Sequence, residues 1–160
     1  MSPLSVRNPH DDGRESGEGE FDEEDDGPIL TEIDHVAFAV RDLAAAIDVY
    51  RDTFGATVEH REVVESDGVE EALLKVADSY IQLLTPTNDD SPVAKYLDKN
   101  GEGMHHIGYR VDDCAAALER VKAQGHRVID EEPRPGSRGT TVAFIHPKAI
   151  LGTLIELVEE

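Results

Sequence analysis

The chain has 160 residues, of which 35 are acidic and 15 are basic, and its formal net charge at pH 7 is −20. This charge argues against binding to nucleic acid, which requires a basic surface. No stretch reaches the ~18 consecutive apolar residues of a membrane span. The N-terminus lacks the apolar core of a signal peptide, and the single cysteine excludes a disulfide within the chain. We therefore expect a soluble cytoplasmic protein that does not bind nucleic acid or membranes.

The acidic charge is distributed over the whole chain: residues 1–29 carry −8 and residues 30–160 carry −12. Such a surface repels itself at low ionic strength and is tolerated in strong salt, where the Debye length is only ~3 Å at 1 M. One hypothesis is therefore the cytoplasm of a salt-loving organism. The alternative is an acidic tail on an ordinary acidic enzyme.

The predicted elements divide the chain into an acidic tail and one domain. Residues 1–29 are rich in Gly, Asp and Glu and are predicted to be disordered, because they contain too little apolar surface to offset the entropy of ordering. The domain covers residues 30–160. Its first part, which we name module one (31–86), has the order β-α-β-β-β, with strands predicted over 31–40, 57–64, 69–76 and 79–85 and a helix over 43–54.

A connector over 87–103 holds a short helix, with Ser91 as its N-cap and Pro92 at its first position. Module two (104–160) then repeats the order β-α-β-β-β. A strand over 105–111 leads to a helix over 114–124, and three strands are predicted over 126–130, 141–146 and 151–158. The turn-rich segment PRPGSRG joins the first two of these three strands.

The two modules are related by an internal repeat. Sliding the chain on itself by 71 positions places His35 on His106 and Asp42 on Asp113, and it also aligns Val40 with Val111 and a run of three alanines with another. His106 is therefore the repeated histidine. Its neighbour His105 is expected to point to the other face, because a strand directs successive side chains to opposite sides.

The last strands of the modules also match, with Gln82 in IQL corresponding to Glu156 in IEL. Each module thus supplies a histidine on its first strand and an oxygen donor on its last. If the modules are related by a pseudo-twofold axis, His35, Gln82, His106 and Glu156 converge in a concave cleft. Two imidazoles, an amide and a carboxylate suit a divalent metal ion that keeps open positions. Taken singly, each residue is also explained without a metal ion, as a hydrogen-bonded core histidine or a solvated polar side chain.

Several segments, namely IDHVAFAV, GEGMHHIGYRVDD, FIHPK and GTLIELVE, resemble the methylmalonyl-CoA epimerases of the vicinal oxygen chelate superfamily. The likeness covers residues 32–158, and the ligand order His, Gln, His, Glu together with the connector points to this family. It implies an α+β fold in which two tandem β-α-β-β-β modules form an open eight-stranded half-barrel around a metal site.

The resemblance also implies an activity. Epimerisation of methylmalonyl-CoA removes a proton from C2 and returns one to the opposite face through a metal-stabilised enolate. Glu71 falls where the family places a glutamate facing the metal, and we expect Glu156 to be the second catalytic carboxylate. The implied cofactor is a divalent ion (cobalt, manganese, nickel, iron or zinc), the implied partner is an acyl-CoA substrate, and the implied assembly is a homodimer.

Two other functions remain open at this stage. One is a glyoxalase I-type lyase acting on a thiol hemithioacetal, which shares enolate chemistry on the same metal. The other is a metal-free ligand-binding or resistance protein of the same fold, which would not need a complete ligand set. Five basic residues are candidates for the CoA phosphates but are equally well explained as solvated surface charges: Arg61, Lys95, Arg134, Arg138 and Lys148. The GSRG segment either closes over the substrate or simply joins two strands.

Overall fold

The structure, a computed structural model, describes residues 27–160. The acidic tail predicted over 1–29 therefore lies outside the described residues, except for its last three. The described part contains eight strands and three α-helices. In chain order these are β1 (Leu30–Ala39), α1 (Leu43–Phe54), β2 (Val58–Val64), β3 (Val69–Val76), β4 (Ser79–Pro86), α2 (Pro92–Asn100), β5 (Gly103–Val111), α3 (Cys114–Ala123), β6 (Arg134–Pro135), β7 (Thr141–Ile145) and β8 (Ile155–Glu159).

All eight strands form one sheet in the order β2-β3-β4-β1-β5-β8-β7-β6. The first strand of each module pairs in parallel with the last strand of the same module, β1 with β4 and β5 with β8. The two first strands, β1 and β5, pair antiparallel at the centre. The predicted half-barrel of two β-α-β-β-β modules is thereby confirmed, and the two repeated histidine strands are neighbours at its middle.

Corresponding helices begin with the same cap in both modules. The side chain of Asp42 accepts a hydrogen bond from the Ala45 amide, and the side chain of Asp113 accepts one from the Ala116 amide, each over 3.0 Å. Such caps satisfy amides that have no partner within the helix. Helix α1 ends at Gly55, whose φ of 69° is the left-handed conformation that glycine adopts without strain.

The helices α1 and α3 pack on one face of the sheet and leave the opposite face for a cavity. Leu43 of α1 packs with Leu83 of β4, and Leu118 of α3 packs with Leu157 of β8. Because side chains alternate along a strand, the neighbours of these two strand leucines, Gln82 and Glu156, point to the other face. Both line the cavity there.

Two strand predictions in module two are wrong. Residues 126–130 form only a single bridge, Val128 with Ile145, since the amides of Ile129 and Asp130 both donate to the Phe144 carbonyl. The sixth strand lies instead at Arg134–Pro135, within the segment predicted to be a loop.

The strand predicted from residue 151 begins at Ile155. Leu151 and Gly152 have φ values of 55° and 77°, and this left-handed backbone forms a turn rather than an extended strand. Among the described residues, no helix is both long enough and apolar enough to cross a bilayer.

Candidate active site

Three ligand-type side chains meet at the centre of the sheet. The Nε2 atoms of His35 on β1 and His106 on β5 lie 3.0 Å apart. One carboxylate oxygen of Glu156, on β8, lies 3.2 Å from the first and 2.9 Å from the second. All three residues are buried. Their convergence follows from the pairing of β5 with both β1 and β8.

The site has room for the His35 imidazole only because residue 108 is a glycine. Gly108 lies opposite His35 in the β1–β5 pair. A Cβ atom at this position would lie 2.2 Å from Cε1 of the His35 ring. Real Cβ atoms do not approach another carbon so closely, so an alanine here would displace the imidazole.

Gln82 and Glu71 complete the polar side of the cavity. Both are buried, and the Gln82 amide nitrogen donates a hydrogen bond to a carboxylate oxygen of Glu71. The remaining side-chain oxygens, Oε1 of Gln82 and Oε1 of Glu71, have no hydrogen-bond partner among the described residues. A buried acceptor without a partner is costly. These two oxygens therefore indicate a site for a cation or for the donors of a ligand.

The residues fit a divalent metal ion. Nitrogen and oxygen ligands at ~2.1 Å from a common ion and at right angles to one another lie ~3.0 Å apart. The three distances among His35, His106 and Glu156 are close to this value. Gln82, the fourth predicted ligand, lines the same cavity as His106 and Glu156, and its side-chain oxygen has no partner among the described residues. A mixed set of imidazole and oxygen donors suits first-row divalent ions.

Each histidine is supported by the residue that precedes it. Nδ1 of His35 donates to the carboxylate of Asp34 over 2.7 Å, and the Nδ1 atoms of His105 and His106 lie 2.8 Å apart. Asp34 and His105 occupy β-bulges, since each is the extra residue at a register shift between β1 and β5. The expectation that His105 points away from the site is therefore wrong: at a bulge the simple alternation of side chains fails, and His105 lines the same cavity as His106.

The charges of the cluster differ between the two histidines. Burial lowers the pKa of His35, but Glu156 and Asp34 outweigh this effect and raise it to about 9. Burial lowers the pKa of His106 below its usual value, despite the hydrogen bond with Glu156. Burial raises the pKa of Glu156, but the adjacent imidazoles reverse this and hold it well below its usual range. The Glu156 carboxylate therefore lies between a protonated His35 and a neutral His106. A divalent cation can take the place of the extra proton on His35.

Asp34 is the centre of an ion-pair network that the sequence analysis did not find. Its buried carboxylate accepts hydrogen bonds from Arg110 over 2.6 Å and from Arg138 over 2.9 Å, besides the one from His35. Burial raises the pKa of Asp34, but the hydrogen bonds from His35 and Arg110 lower it to about 2. Arg138 belongs to the short helical turn Ser137–Gly139, so the network ties this turn to the strand that carries His35. The available signal for this network was the acidic residue Asp34 directly before His35 in the predicted strand.

Glu71 lies beside the ligand cluster, as the family resemblance implied. Burial raises its pKa, while the neighbouring Ser137 and Gln82 side chains act in the opposite direction. Its neighbour Glu70 points away and pairs with Arg61 over 2.8 Å. The cavity between these groups has a volume of about 170 Å³ and continues over apolar side chains of both modules, such as Leu84 and Val142.

The chain is similar to known proteins over most of its length. Residues 34–144 match the family model of the glyoxalase/bleomycin resistance protein/dioxygenase superfamily. The ethylmalonyl-CoA/methylmalonyl-CoA epimerase of Cereibacter sphaeroides is 41% identical over 81% of this chain and 98% of that protein. A variant of Streptomyces coelicolor methylmalonyl-CoA epimerase, in complex with 2-nitronate-propionyl-CoA, is 47% identical with a TM-score of 0.80, over 82% of this chain and 95% of that one.

A solved complex of a methylmalonyl-CoA epimerase with methylmalonyl-CoA and NH4+ gives the same identity, TM-score and coverage of both chains. The residues matched by the family model include both His35 and His106. The family resemblance deduced from the sequence is confirmed. The chain belongs to the glyoxalase/bleomycin resistance protein/dioxygenase superfamily and, within it, to the methylmalonyl-CoA epimerase family.

Proposed function

We propose that this protein is a metal-dependent epimerase that interconverts the (R) and (S) forms of methylmalonyl-CoA. The observation that carries the proposal is the presence of two buried carboxylates, Glu71 and Glu156, in one cavity with His106, where Glu156 also contacts His35. Relatives of 41–47% identity carry the names of methylmalonyl-CoA epimerases, and solved members hold methylmalonyl-CoA or 2-nitronate-propionyl-CoA.

Epimerisation needs one proton acceptor and one proton donor, on opposite faces of C2. The environments of Glu71 and Glu156 shift their pKa values in opposite directions, upward for Glu71 through burial and downward for Glu156 through the imidazoles. Groups separated in this way suit an acid and a base. In one direction of the reaction Glu156 accepts the proton from C2 and Glu71 returns one, and in the other direction the roles are exchanged.

The remaining residues hold these two carboxylates in place. Gln82 donates its amide to Glu71 and leaves the other oxygen of Glu71 free to face the substrate. His35, His106, Glu156 and the free oxygen of Gln82 would hold a divalent ion, which as a Lewis acid would stabilise the charge that develops on the thioester oxygen. The apolar walls of the cavity limit the access of water to the reacting carbon.

We also propose that the enzyme is a cytoplasmic homodimer, as the family resemblance implies. The acidic composition supports a salt-rich cytoplasm as its setting, because dissolved salt screens repulsion between acidic protein surfaces and an anionic substrate. Sedimentation at low and molar salt tests the dimer, and unfolding on transfer from molar to low salt tests the salt-rich setting. A monomer under both conditions contradicts the dimer, and stability that is indifferent to salt contradicts the salt-rich setting.

The decisive experiment is solvent deuterium uptake at C2 of methylmalonyl-CoA, followed by NMR with the protein supplied in turn with each candidate metal. We expect deuterium at C2 and equilibration of the two epimers. Parallel assays use ethylmalonyl-CoA and the hemithioacetal of glutathione with methylglyoxal. Turnover of the hemithioacetal without deuterium uptake by the malonyl thioesters would identify a glyoxalase-type lyase instead. Absence of bound metal and of any turnover would indicate a binding protein.

A further inference from the structure

Arg134 is the one arginine or lysine that lines the cavity in the part of the chain that the structure describes. Three carboxylates line the same cavity: Asp67, Glu71 and Glu156. An acyl group that carries a free carboxylate therefore enters a space with three like charges. A single guanidinium offers it a partner of opposite charge.

The guanidinium of Arg134 is held in position by two carboxylates but, among the described residues, keeps free hydrogen-bond donors. Nη1 lies 3.0 Å from a carboxylate oxygen of Asp67, and Nε donates to Asp130 over 3.2 Å. No partner among the described residues engages Nη2. The group also lies over the ring of Phe144, 5.4 Å from its centroid. Stacking and two ion pairs reduce the entropy lost on binding a further anion.

Arg134 lies one aromatic ring away from the proposed metal ligands. The Phe144 ring meets the His106 ring edge to face, with centroids 5.4 Å apart. Phe144 is also the partner of Glu156 in the pairing of β7 with β8. Arg134 lines the same cavity as Glu71 and Glu156, so a carboxylate bound to Arg134 would lie inside this cavity and not at the outer surface.

The ion pair between Asp67 and Arg134 joins the two modules across the cavity. Asp67 lies in the short helical turn between β2 and β3, and Arg134 lies on β6. Burial raises the pKa of Asp67, Arg134 acts in the opposite direction, and the charges of Glu156 and Asp130 add to the effect of burial. The Asp67 side chain is 35% exposed, so solvent can receive its carboxylate when another anion takes its place on Arg134.

We infer that Arg134 binds the free carboxylate of the substrate and exchanges Asp67 for it. This inference rests on the proposed function, because it concerns an acyl thioester that carries a second carboxylate. A guanidinium recognises a carboxylate through two parallel hydrogen bonds, which gives both affinity and orientation. Binding in this way fixes the rotation about C2, since the carboxylate and the thioester are its two polar substituents.

The test compares two ligands that differ only in the carboxylate. Methylmalonyl-CoA and propionyl-CoA are titrated calorimetrically into the metal-loaded wild-type protein and into Arg134→Gln. We expect Arg134→Gln to weaken the binding of methylmalonyl-CoA by about tenfold or more, as for a lost charged hydrogen bond. The affinity for propionyl-CoA should stay within about twofold, because no interaction with Arg134 is lost. Equal losses for both ligands, or no loss, would overturn the inference.

Two aspartate variants serve as a matched pair. Asp67→Asn and Asp130→Asn remove the same charge beside Arg134, but only Asp67 lines the cavity. We expect Asp67→Asn to tighten the binding of methylmalonyl-CoA by a few-fold and Asp130→Asn to have no such effect. If Asp67→Asn weakens binding as Arg134→Gln does, the pair is a structural clamp between modules and the exchange is wrong.

The two proposals fail in different ways. Absence of deuterium uptake by the wild-type protein contradicts the proposed function. With an active wild-type protein, failure of Arg134→Gln to discriminate between the two thioesters contradicts only the role of Arg134. Thermal unfolding of each variant, with a midpoint near that of the wild type, verifies that the variants are folded. Arg134→Lys keeps the charge without the planar fork, so it should restore only part of the discrimination.

Discussion

Modules one and two place a histidine at the same point of the sheet but support it differently. In module one the residue before the histidine is Asp34, a buried carboxylate clamped by two arginines. The residue at the same place in module two is His105. Burial lowers the pKa of His105 to about 4, and the charge of His106 adds to the effect, so this ring is neutral. One histidine thus has an anionic support and the other a neutral one, although both supports lie on equivalent β-bulges.

The third strands of the modules differ in the same way. Glu71 lies on β3 opposite Leu84, two residues beyond Gln82. The equivalent residue on β7 is Val142, opposite Val158 and two residues beyond Glu156. Both Glu71 and Val142 line the cavity. The duplicated backbone thus places His35 and His106, and likewise Gln82 and Glu156, at equivalent positions, and the third strand of module one adds the carboxylate of Glu71 to the cavity.

The largest effect is expected when the histidine pair is broken. His106→Ala should lose the divalent ion and lower turnover by about a thousandfold or more, because Lewis acid stabilisation contributes several kcal/mol. Elemental analysis and the deuterium assay measure the two losses. His126→Ala, which changes an exposed histidine of the same module, is the control. Wild-type metal content in His106→Ala would contradict the ligand assignment.

The difference between the third strands is tested by Glu71→Gln. This variant should keep its metal and lower kcat by about a hundredfold or more, as expected when a general acid–base group is removed. The control is Glu70→Gln, which changes the neighbouring carboxylate on the opposite face of β3. If the two variants have equal activity, Glu71 is not part of the mechanism.

The difference between the two supports is tested by Asp34→Asn and His105→Gln. Removing the anionic support should weaken metal affinity by about ten- to a hundredfold, the usual effect of losing a group that orients a ligand. Replacing the neutral support should have the smaller effect, because no buried charge is removed. Competition with a metal-sensitive dye measures both affinities. Equal losses would show that the charge of Asp34 has no special role.

The smallest effect concerns the first residue of the helix, which is Leu43 in module one and Cys114 in module two. Burial raises the pKa of the Cys114 thiol to about 11, and nearby carboxylates add to the effect. Because the folded pKa lies above the ordinary value near 9, the thiol stays protonated in the folded protein at neutral pH. The stability that the protonated thiol contributes is present below about pH 9 and is lost as the pH rises towards about 11. Alkylation by iodoacetamide should therefore stay slow up to about pH 10 and become fast in urea. Rapid alkylation of the folded protein at pH 8 would contradict this.

Much of the fold could be predicted because its signals are local. Asp42, Asp113 and Ser91 accept amide hydrogen bonds at the helix starts that the sequence indicated. The errors lie where a distant contact decides the conformation. The sequence pattern of residues 126–130 resembles a strand, yet two of their amides donate to the Phe144 carbonyl, and this contact cannot be deduced from periodicity.

The internal repeat, most of the elements and the meeting of His35, His106 and Glu156 could be predicted from the amino-acid sequence. Periodicity and capping are properties of neighbouring residues, and a repeat is visible in the letters alone. Which neighbours support the two histidines depends on the folded sheet. The bulges at Asp34 and His105 arise from the pairing of β1 with β5. Two further sets of contacts join residues that are separated by between 67 and 104 positions in the chain. They are the network of Asp34, Arg110 and Arg138 and the ion pair of Asp67 with Arg134. Contacts across such separations depend on the folded sheet and leave no periodic signal in the chain.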